Sequence, residues 1–279
     1  CVYNEKNMHM NRILTLLIGF LLLFGCENVK ESSTKMSIPD SNAEKIDKKQ
    51  PTFGIVIHGG AGTILKENMT DSLEKAYRLK LEEAIRVGHE ILKSGGTAME
   101  AVTKTINILE DSPLFNAGKG AVFTHDETNE LDASVMDGSN LNAGAVAGVT
   151  RIKNPIDLAL EVMNNSPHVL LAGKGAEAFA QEKGFEFVDP SYFYTENRFQ
   201  SLQKVKQKET ALLPFGSAHG SEKLAQEMAS NFDDPFIKNS KFGTVGCAAL
   251  DKSGNLAAGT STGGMTNKRW NRIGDAPII

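Results

Sequence analysis

A glycine-rich hairpin near the end of the sequence constrains the fold most strongly. Residues 243–264 read GTVGCAALDKSGNLAAGTSTGG, in which two runs of small and apolar residues flank the turn sequence DKSG. Runs of this kind, joined by a Gly-containing turn, are typical of two antiparallel strands in a hairpin. The small side chains and the flanking glycines predict that backbone from other parts of the chain can pack closely against this two-stranded ribbon.

The register of this hairpin decides which hydroxyl groups meet. If Leu250 pairs with Asn255, Thr244 lies opposite Ser261 and next to Thr262. A slip of one residue would place Thr262 directly opposite Thr244. Either register brings two threonine hydroxyls together at one end of the ribbon. Because threonine is also a favoured strand residue, the spacing alone does not establish catalysis.

The same ribbon contains a second candidate nucleophile. Residues 259–263 read GTSTG and match the G-x-S-x-G elbow of serine hydrolases, with Ser261 in the centre. That elbow requires a strand, a sharp turn and a helix, with a histidine later in the chain. The residues after Gly263 lack an apolar helical stripe, and no histidine follows His219. We therefore disfavour a serine nucleophile.

The chain before the hairpin alternates strand-like and helix-like patterns. An apolar strand (53–58) stops at the glycine cluster 59–62. Two helical stripes follow, the first ending at Gly95-Gly96 and the second opening with a capping box at Thr97 and Glu100. Further on the patterns predict strands at 120–124, 130–138 and 143–152, a helix starting at Asn154-Pro155 and another over 175–183. Adjacent strands with separate helices predict an α+β fold, with sheets covered by helices.

Composition divides the chain into regions. Residues 1–26 contain an apolar run, ILTLLIGFLLLF (13–24), after a start expected at Met10, and end in Cys26. The run is too short for a membrane span and predicts a signal peptide. Residues 27–50 are polar and predict a flexible tether. Residues 51–279 form the folded part, in which about 194–243 is polar and predicts a mobile connector.

Charge and cysteine content exclude some classes of protein. A net charge of −4 argues against a nucleic-acid partner. Three cysteines, Cys1, Cys26 and Cys247, are too few and too scattered for a disulfide scaffold. His58, His125 and Asp126 lack the spacing of a transition-metal site, so we interpret them as structural.

Several of these strings together resemble one known family. They are IHGGAG (57–62), PLFNAGKGAVFT (113–124), ELDASVMDG (130–138), GAVAGVTRIKNPI (144–156), the hairpin with its extension (243–268) and RIGDAPII (272–279). The chain resembles the plant-type asparaginases, also called isoaspartyl peptidases, which are N-terminal-nucleophile hydrolases. The resemblance implies a four-layer αββα sandwich. It also implies hydrolysis of L-asparagine and β-aspartyl dipeptides by a precursor that first cuts itself.

The resemblance assigns roles to individual residues. Self-cleavage is expected between Gly243 and Thr244, which divides the hydrolase into an α part (51–243) and a β part starting at 244. Thr244 is the implied nucleophile, and its α-amine, freed by the cut, is the implied base. Thr262 is expected to hydrogen-bond to it, and Asn116 to order the site.

Substrate and ion binding are implied in the same way. Arg272 is expected to bind the substrate α-carboxylate and Asp275 its α-ammonium, which suits an amino-acid zwitterion. Gly60 and Gly62 are expected to line the site. A sodium ion is implied at the backbone carbonyls of one loop, whose contributing residues are Leu109, Glu110, Ser112, Phe115, Ala117 and Lys119. No other cofactor is expected.

The resemblance also sets expectations for the rest of the protein. Family members continue past the RIGDAPII segment to a Thr-Gly pair that binds the oxyanion, so we expect the present chain to be truncated and inactive by itself. The family is usually a homodimer of cleaved heterodimers. The segment ending Leu-Phe-Gly-Cys26 resembles a lipobox, which implies a lipid anchor at Cys26 and a place in the cell envelope or periplasm. An ordinary secretory leader and a buried apolar segment are the alternatives.

Two other functions remain open at this point. A glycosylasparaginase shares the fold and the nucleophile, although those enzymes generally have Asp rather than Gly before the threonine. A lipoprotein that binds amino acids without catalysis would also use the pair Arg272 and Asp275.

Overall fold

In the part of the chain that the structure describes, six strands pair into a single mixed sheet in the order β1-β5-β6-β2-β3-β4. The structure is a computed structural model that describes residues 52–60, 69–212 and 243–278. All neighbouring strands are antiparallel except β3 and β4, which are parallel. The strands are β1 (Gly54–His58), β2 (Leu131–Asp137), β3 (Asn142–Val149), β4 (Leu170–Ala172), β5 (Val245–Leu250) and β6 (Leu256–Thr262).

Within the described residues five α-helices accompany the sheet, and the first two begin at threonine caps. Leu73 N donates to Thr70 Oγ1 (3.2 Å), and Glu100 N donates to Thr97 Oγ1 (3.1 Å), as expected for N-caps. The first helix ends at Gly95, whose φ of 95° closes the last turn. The helices are α1 (Asp71–Ser94), α2 (Ala98–Glu110), α3 (Pro155–Asn165), α4 (Gly173–Glu182) and α5 (Glu196–Leu212).

Helices α2 and α3 pack against the same face of the sheet. A Cβ at Gly259 would lie 2.9 Å from Val102 of α2, and one at Gly144 would lie 2.2 Å from the carbonyl oxygen of Ala159 in α3. Gly259 and Gly144 both pair with Val135, so their faces coincide. Close approach of helix to strand at these glycines closes the core.

The opposite face of the sheet carries apolar side chains that are exposed among the described residues. Val56 is 72% exposed and Leu256 is 59% exposed. The described residues therefore form one helical layer and one sheet of the α+β sandwich predicted by the sequence. Thr262 and Asp132 lie on this same face.

One predicted strand is absent. Residues 121–124 are extended but join no sheet, and a 3₁₀ turn (Gly118–Gly120) precedes them. Side chains take the backbone groups that a strand partner would use. Val122 N donates to Asn116 Oδ1 (3.0 Å), and Asn129 Nδ2 donates to the carbonyls of Ala121 (3.0 Å) and Val122 (3.1 Å).

The connector predicted over about 194–243 begins with a helix. Helix α5 (Glu196–Leu212) has little amphipathic pattern, which is why its composition indicated a connector. It is held by buried Leu202, by an edge-to-face contact of Phe199 with Phe123 (5.6 Å between ring centroids) and by Arg198 Nε, which donates to Gly120 O (2.9 Å). Residues 213–242 lie outside the described part.

A membrane-spanning helix is not found among residues 52–60, 69–212 and 243–278. The predicted signal peptide (1–26) and tether (27–50) lie outside the described residues, so their interpretation stays a prediction.

Candidate active site

The hairpin β5–β6 places Thr244 opposite Thr262. Leu250 pairs with Leu256 and Val245 with Ser261. Extending this ladder by one residue brings Thr244 across from Thr262, which is the slipped register considered above. The pairing of Leu250 with Asn255 is wrong by one residue.

The side chain of Asp251 explains the register. Its Oδ1 accepts from the backbone N–H groups of Ser253 and Asn255, both at 2.9 Å. Asp251 N also donates to Asn255 O (3.0 Å), and Gly254 has a φ of 84°. The loop Asp251–Asn255 is therefore organised around one carboxylate, and it moves the first strand pair outward by one position.

Ser261 lies on the face of the sheet opposite to the two threonines. Its Oγ donates to Glu110 Oε1 at the end of α2 (2.7 Å), on the helical side. After Thr262 the described chain continues in turns rather than in a helix. The serine-hydrolase interpretation is therefore wrong: the strand–turn–helix geometry is absent from the described residues, and the hydroxyl points into the core.

Asn116 links Gly243, the residue before the predicted cut, to the glycines that follow Thr262. Its Nδ2 donates to Gly264 O (2.8 Å), and its backbone carbonyl accepts from Gly263 N (3.1 Å). A Cβ at Gly243 would lie 2.8 Å from the Cβ of Asn116, so the junction packs directly on this residue. Thr262 Oγ1 accepts from Gly264 N (3.0 Å). The structure thus brings Gly243, Thr244, Thr262 and Asn116 together.

The glycine loop after β1 reaches the same place. His58 pairs with Gly246, and continuing this register sets Gly60 opposite Thr244. Gly60 has a φ of 129°, a backbone conformation that favours glycine. Gly62 lies outside the described residues.

Arg272 and Asp275 follow on an exposed segment that is anchored beside the nucleophile ribbon. The carbonyl oxygen of Ala276 accepts from Ser134 Oγ (2.6 Å) and Thr260 Oγ1 (2.7 Å). Thr260 precedes Thr262 by two residues on the same strand and face. Both charged side chains are exposed, and the segment that carries them is attached at Ala276 to the strand that contains Thr262.

The carboxylate of Glu110 is a part of the site that the sequence prediction missed, since it considered only the backbone carbonyl. The side chain is fully buried and accepts three hydrogen bonds, from Ser261 Oγ (2.7 Å), Asn154 Nδ2 (3.1 Å) and Ile156 N (3.1 Å). Burial raises its pKa to about 8, although these hydrogen bonds lower it.

The sequence prediction also missed the side chain of Asp132. This residue pairs with Thr262 across β2 and β6 and is 0% exposed. Aspartate is depleted in strands, so an Asp inside the apolar run LDASV was the available signal.

The sheet and this site define a class. Helices cover one face of the sheet. Thr244 follows Gly243 directly before β5 and lies on the other face, opposite Thr262 of β6. This is the arrangement of an N-terminal-nucleophile hydrolase.

Comparison with known proteins identifies the family. Residues 50–279 match the asparaginase family model, and the chain belongs to that family. It is similar to an isoaspartyl peptidase of Escherichia coli (strain K12), with 45% identity over 225 residues that cover 81% of this chain and 65% of that protein. A plant-type L-asparaginase of Pyrococcus furiosus is 43% identical (81% and 68% covered), and an isoaspartyl peptidase/L-asparaginase of Mus musculus is 41% identical (81% and 61% covered). The chain spans about two thirds of the length of these relatives.

Proposed function

We propose that the full-length protein cuts itself before Thr244 and then hydrolyses L-asparagine and β-aspartyl dipeptides, releasing L-aspartate. The observation that carries this proposal is the position of Gly243-Thr244 at the start of β5, with Thr262 opposite and Asn116 packed against Gly243. The relatives, named as isoaspartyl peptidases and L-asparaginases, support the same chemistry.

The proposed mechanism uses Thr244 twice. After the cut, its free α-amine, with a pKa near 8 in model compounds, takes the proton of its own hydroxyl. The hydroxyl oxygen then attacks the side-chain carbonyl of the substrate and forms a β-aspartyl ester, while ammonia or an amine leaves. Water hydrolyses the ester and releases aspartate. Arg272 would hold the α-carboxylate of the substrate and Asp275 its α-ammonium.

Two measurements on the full-length protein test this function. Intact mass should show two chains divided between Gly243 and Thr244, and turnover of β-Asp-Leu should exceed that of GlcNAc-Asn. Faster turnover of GlcNAc-Asn would favour the glycosylasparaginase alternative. Saturable aspartate binding with no cut and no ammonia release would favour the non-catalytic lipoprotein. An uncut chain that hydrolyses β-Asp-Leu would contradict the mechanism.

A sodium ion in the loop 109–119, which contains Asn116, is a second proposal. The loop folds tightly around its own carbonyls: a Cβ at Gly118 would lie 2.4 Å from Glu110 O, and one at Gly120 would lie 2.1 Å from Phe115 O. The carbonyl oxygens of Glu110 and Phe115, two of the implied ligands, therefore lie close to glycines of the same loop, and backbone oxygen atoms suit a hard cation such as sodium. The ion would order the loop and take no part in the reaction.

The sodium proposal predicts a stabilisation that depends on the cation. The melting temperature of the full-length protein should be about 2–4 °C higher in sodium chloride than in choline chloride of equal ionic strength, because the ion binds only the folded state. Equal melting temperatures in the two salts would contradict a bound sodium ion.

The anchor and the assembly are proposed on the sequence resemblance. A lipid on Cys26 would hold the protein in the cell envelope or periplasm. In a bacterial host, Cys26→Ser should move the protein from the membrane fraction to the soluble fraction and abolish labelling by radioactive palmitate. Labelling of the variant at the level of the unchanged protein would contradict the anchor.

A homodimer of cleaved heterodimers is also proposed, and light scattering of the full-length protein would test it.

A further inference from the structure

Three polar residues form a row across the sheet at the predicted cleavage site. Thr244 directly precedes β5 and comes opposite Thr262 of β6 when the register of these strands is extended by one residue, and Asp132 of β2 pairs with Thr262. Side chains of directly opposed residues in antiparallel strands lie on one face, with Cβ atoms about 4.5–5.5 Å apart. Ser134 Oγ and Thr260 Oγ1, two pairs along the same ladder, lie 3.0 Å apart, which confirms that these positions share the face.

One carboxylate oxygen of Asp132 accepts a hydrogen bond, and the other has no partner among the described residues. Its Oδ1 accepts from Gly148 N (2.8 Å), which a bulge in β3 turns toward the carboxylate; Gly148 has a φ of 64°. Its Oδ2 is buried and has no hydrogen-bond partner within the described residues. A buried carboxylate oxygen without a partner is costly and calls for an explanation.

Self-cleavage needs a group that accepts the proton of the Thr244 hydroxyl. In the mature enzyme the free α-amine of Thr244 takes this role, but the precursor has no such amine. Before the cut, the nitrogen of Thr244 is part of a peptide bond and cannot act as a base. Thr262 Oγ1 already accepts from Gly264 N (3.0 Å), so its hydroxyl has one lone pair for the Thr244 hydroxyl and one proton to donate. Asp132 pairs with Thr262 on the same face of the neighbouring strand, and its Oδ2, which makes no hydrogen bond to Thr262 in this structure, can accept that proton once the Thr262 side chain turns toward it.

We propose that Asp132 is a positioning residue for self-cleavage, which acts through Thr262 by accepting the proton of its hydroxyl while Thr262 accepts the proton of Thr244. The inference rests on the proposed function, because it concerns the step that creates the nucleophile. It assigns to the buried Oδ2 of Asp132 a role in the precursor.

The proton and bond changes balance without a further reactant except water. The Thr244 oxygen bonds to the Gly243 carbonyl carbon as its proton passes to Thr262 and the Thr262 proton passes to Asp132. The carbon–nitrogen bond then breaks, and the nitrogen recovers this proton through Thr262, which leaves an ester and a free α-amine. Water hydrolyses the ester to the Gly243 carboxyl group and the Thr244 hydroxyl.

Burial and neighbouring charges shift the pKa of Asp132 in opposite directions. Burial raises its pKa, as does the charge of Glu130, while Lys268, the Gly148 N–H and Arg272 lower it. Lys268 is itself buried, with its Nζ 3.1 Å from the carbonyl oxygen of Glu130 and 3.4 Å from Glu130 Oε2. The rate of self-cleavage should therefore rise with pH through a pKa above the usual range of aspartate.

The first test replaces Asp132 with asparagine. Asn keeps the acceptor for Gly148 N and changes only the oxygen without a partner. In cell-free synthesis of the full-length protein, followed by gel electrophoresis over time, Asp132→Asn should cut itself at least about 10²-fold more slowly. The matched control is Glu177→Gln, whose carboxylate likewise accepts a backbone N–H, that of Thr150 (2.7 Å), away from the row. This control should cut at the unchanged rate.

Two readouts separate this role from a structural one. Asp132→Asn should abolish the rise of the cleavage rate with pH, and in a Thr262→Val background it should cause no further loss, because the two residues act in series. The small cleaved fraction of Asp132→Asn should hydrolyse β-Asp-Leu within about 10-fold of the unchanged protein, since the α-amine is then the base.

Each outcome decides the inference. Cleavage of Asp132→Asn at the unchanged rate, or additive effects of the two substitutions, would overturn it and leave the proposed function standing. If the melting curve of Asp132→Asn shows that this variant is unfolded, the self-cleavage rate of the protein without substitutions decides. A rate that does not vary with pH would then overturn the inference. An unchanged protein that never cuts itself would overturn the proposed function and this inference together.

Discussion

Replacing Thr244 with alanine is expected to leave the full-length protein as one uncut chain and to lower the hydrolysis of β-Asp-Leu by at least about 10³-fold. Alanine removes the hydroxyl that attacks the Gly243 carbonyl and, because no cut occurs, no α-amine forms. Both the nucleophile and its base are therefore lost in one substitution. Intact mass and ammonia or leucine release measure the two effects.

Ser261→Ala is the matched control for this prediction. Ser261 is a buried hydroxyl residue on β6, immediately before Thr262, and its Oγ points to Glu110 on the helical face. Its loss should cost stability through the broken hydrogen bond but keep self-cleavage and hydrolysis within about 10-fold. Hydrolysis that survives Thr244→Ala and disappears in Ser261→Ala would contradict the assignment of the nucleophile.

Local signals in the sequence predicted much of the fold because local chemistry decides those features. The threonines before α1 and α2 cap them through backbone N–H groups three residues on, and Gly95 ends α1 with a positive φ. The strands β1, β2 and β3 and the helix after Pro155 lie where apolar periodicity placed them. Each of these features depends on residues within one or two turns of one another.

Features that depend on distant contacts could not be predicted. The strand expected at 120–124 is replaced because Asn116 and Asn129 take its backbone groups. Helix α5 forms where composition indicated a connector, because Phe199 and Leu202 find partners elsewhere in the chain. The register of the hairpin was missed for a local reason, because it follows from the carboxylate of Asp251, which accepts from residues two and four positions on and which a count of turn residues does not include.

The candidate site shows the same division between local and distant information. Thr244 and Thr262 are visible as a pair in one hairpin, whichever register is chosen. Asp132 and Glu110 reach the site from other elements, and only the paired sheet reveals that they flank β6 on its two faces. One carboxylate lies on the face of the nucleophile and the other on the helical face.

Glu110 joins three elements behind the nucleophile strand. Its Oε1 accepts from Ser261 Oγ of β6 and from Ile156 N, which is one of the N–H groups left free at the start of α3. Asn154, the N-cap residue, makes no capping bond with its side chain and instead donates to Glu110 Oε2 (3.1 Å). The end of α2 thus caps α3 and fixes β6 one residue before Thr262.

Replacing Glu110 with alanine is therefore expected to lower the free energy of unfolding by about 3–5 kcal/mol. The substitution leaves three donors without an acceptor and opens a cavity at a fully buried position. Glu110→Gln should cost less, about 1–2 kcal/mol, because its amide oxygen still accepts from Ser261 and Ile156 while its NH₂ group faces Asn154. Urea denaturation measures both, in a Thr244→Ala background that keeps the chain uncut.

The control for this series is Glu100→Ala, an exposed glutamate at the other end of the same helix, which should change the unfolding free energy by no more than about 0.5 kcal/mol. If Glu110→Ala were as stable as Glu100→Ala, the buried carboxylate would not hold the three elements together. If its loss destabilises the protein as expected, the hairpin that carries Thr244 and Thr262 depends on a side chain more than 100 residues away in the chain, across the predicted cut. The two products of self-cleavage would then stay joined at this point because Glu110 and Ser261 lie on opposite sides of it.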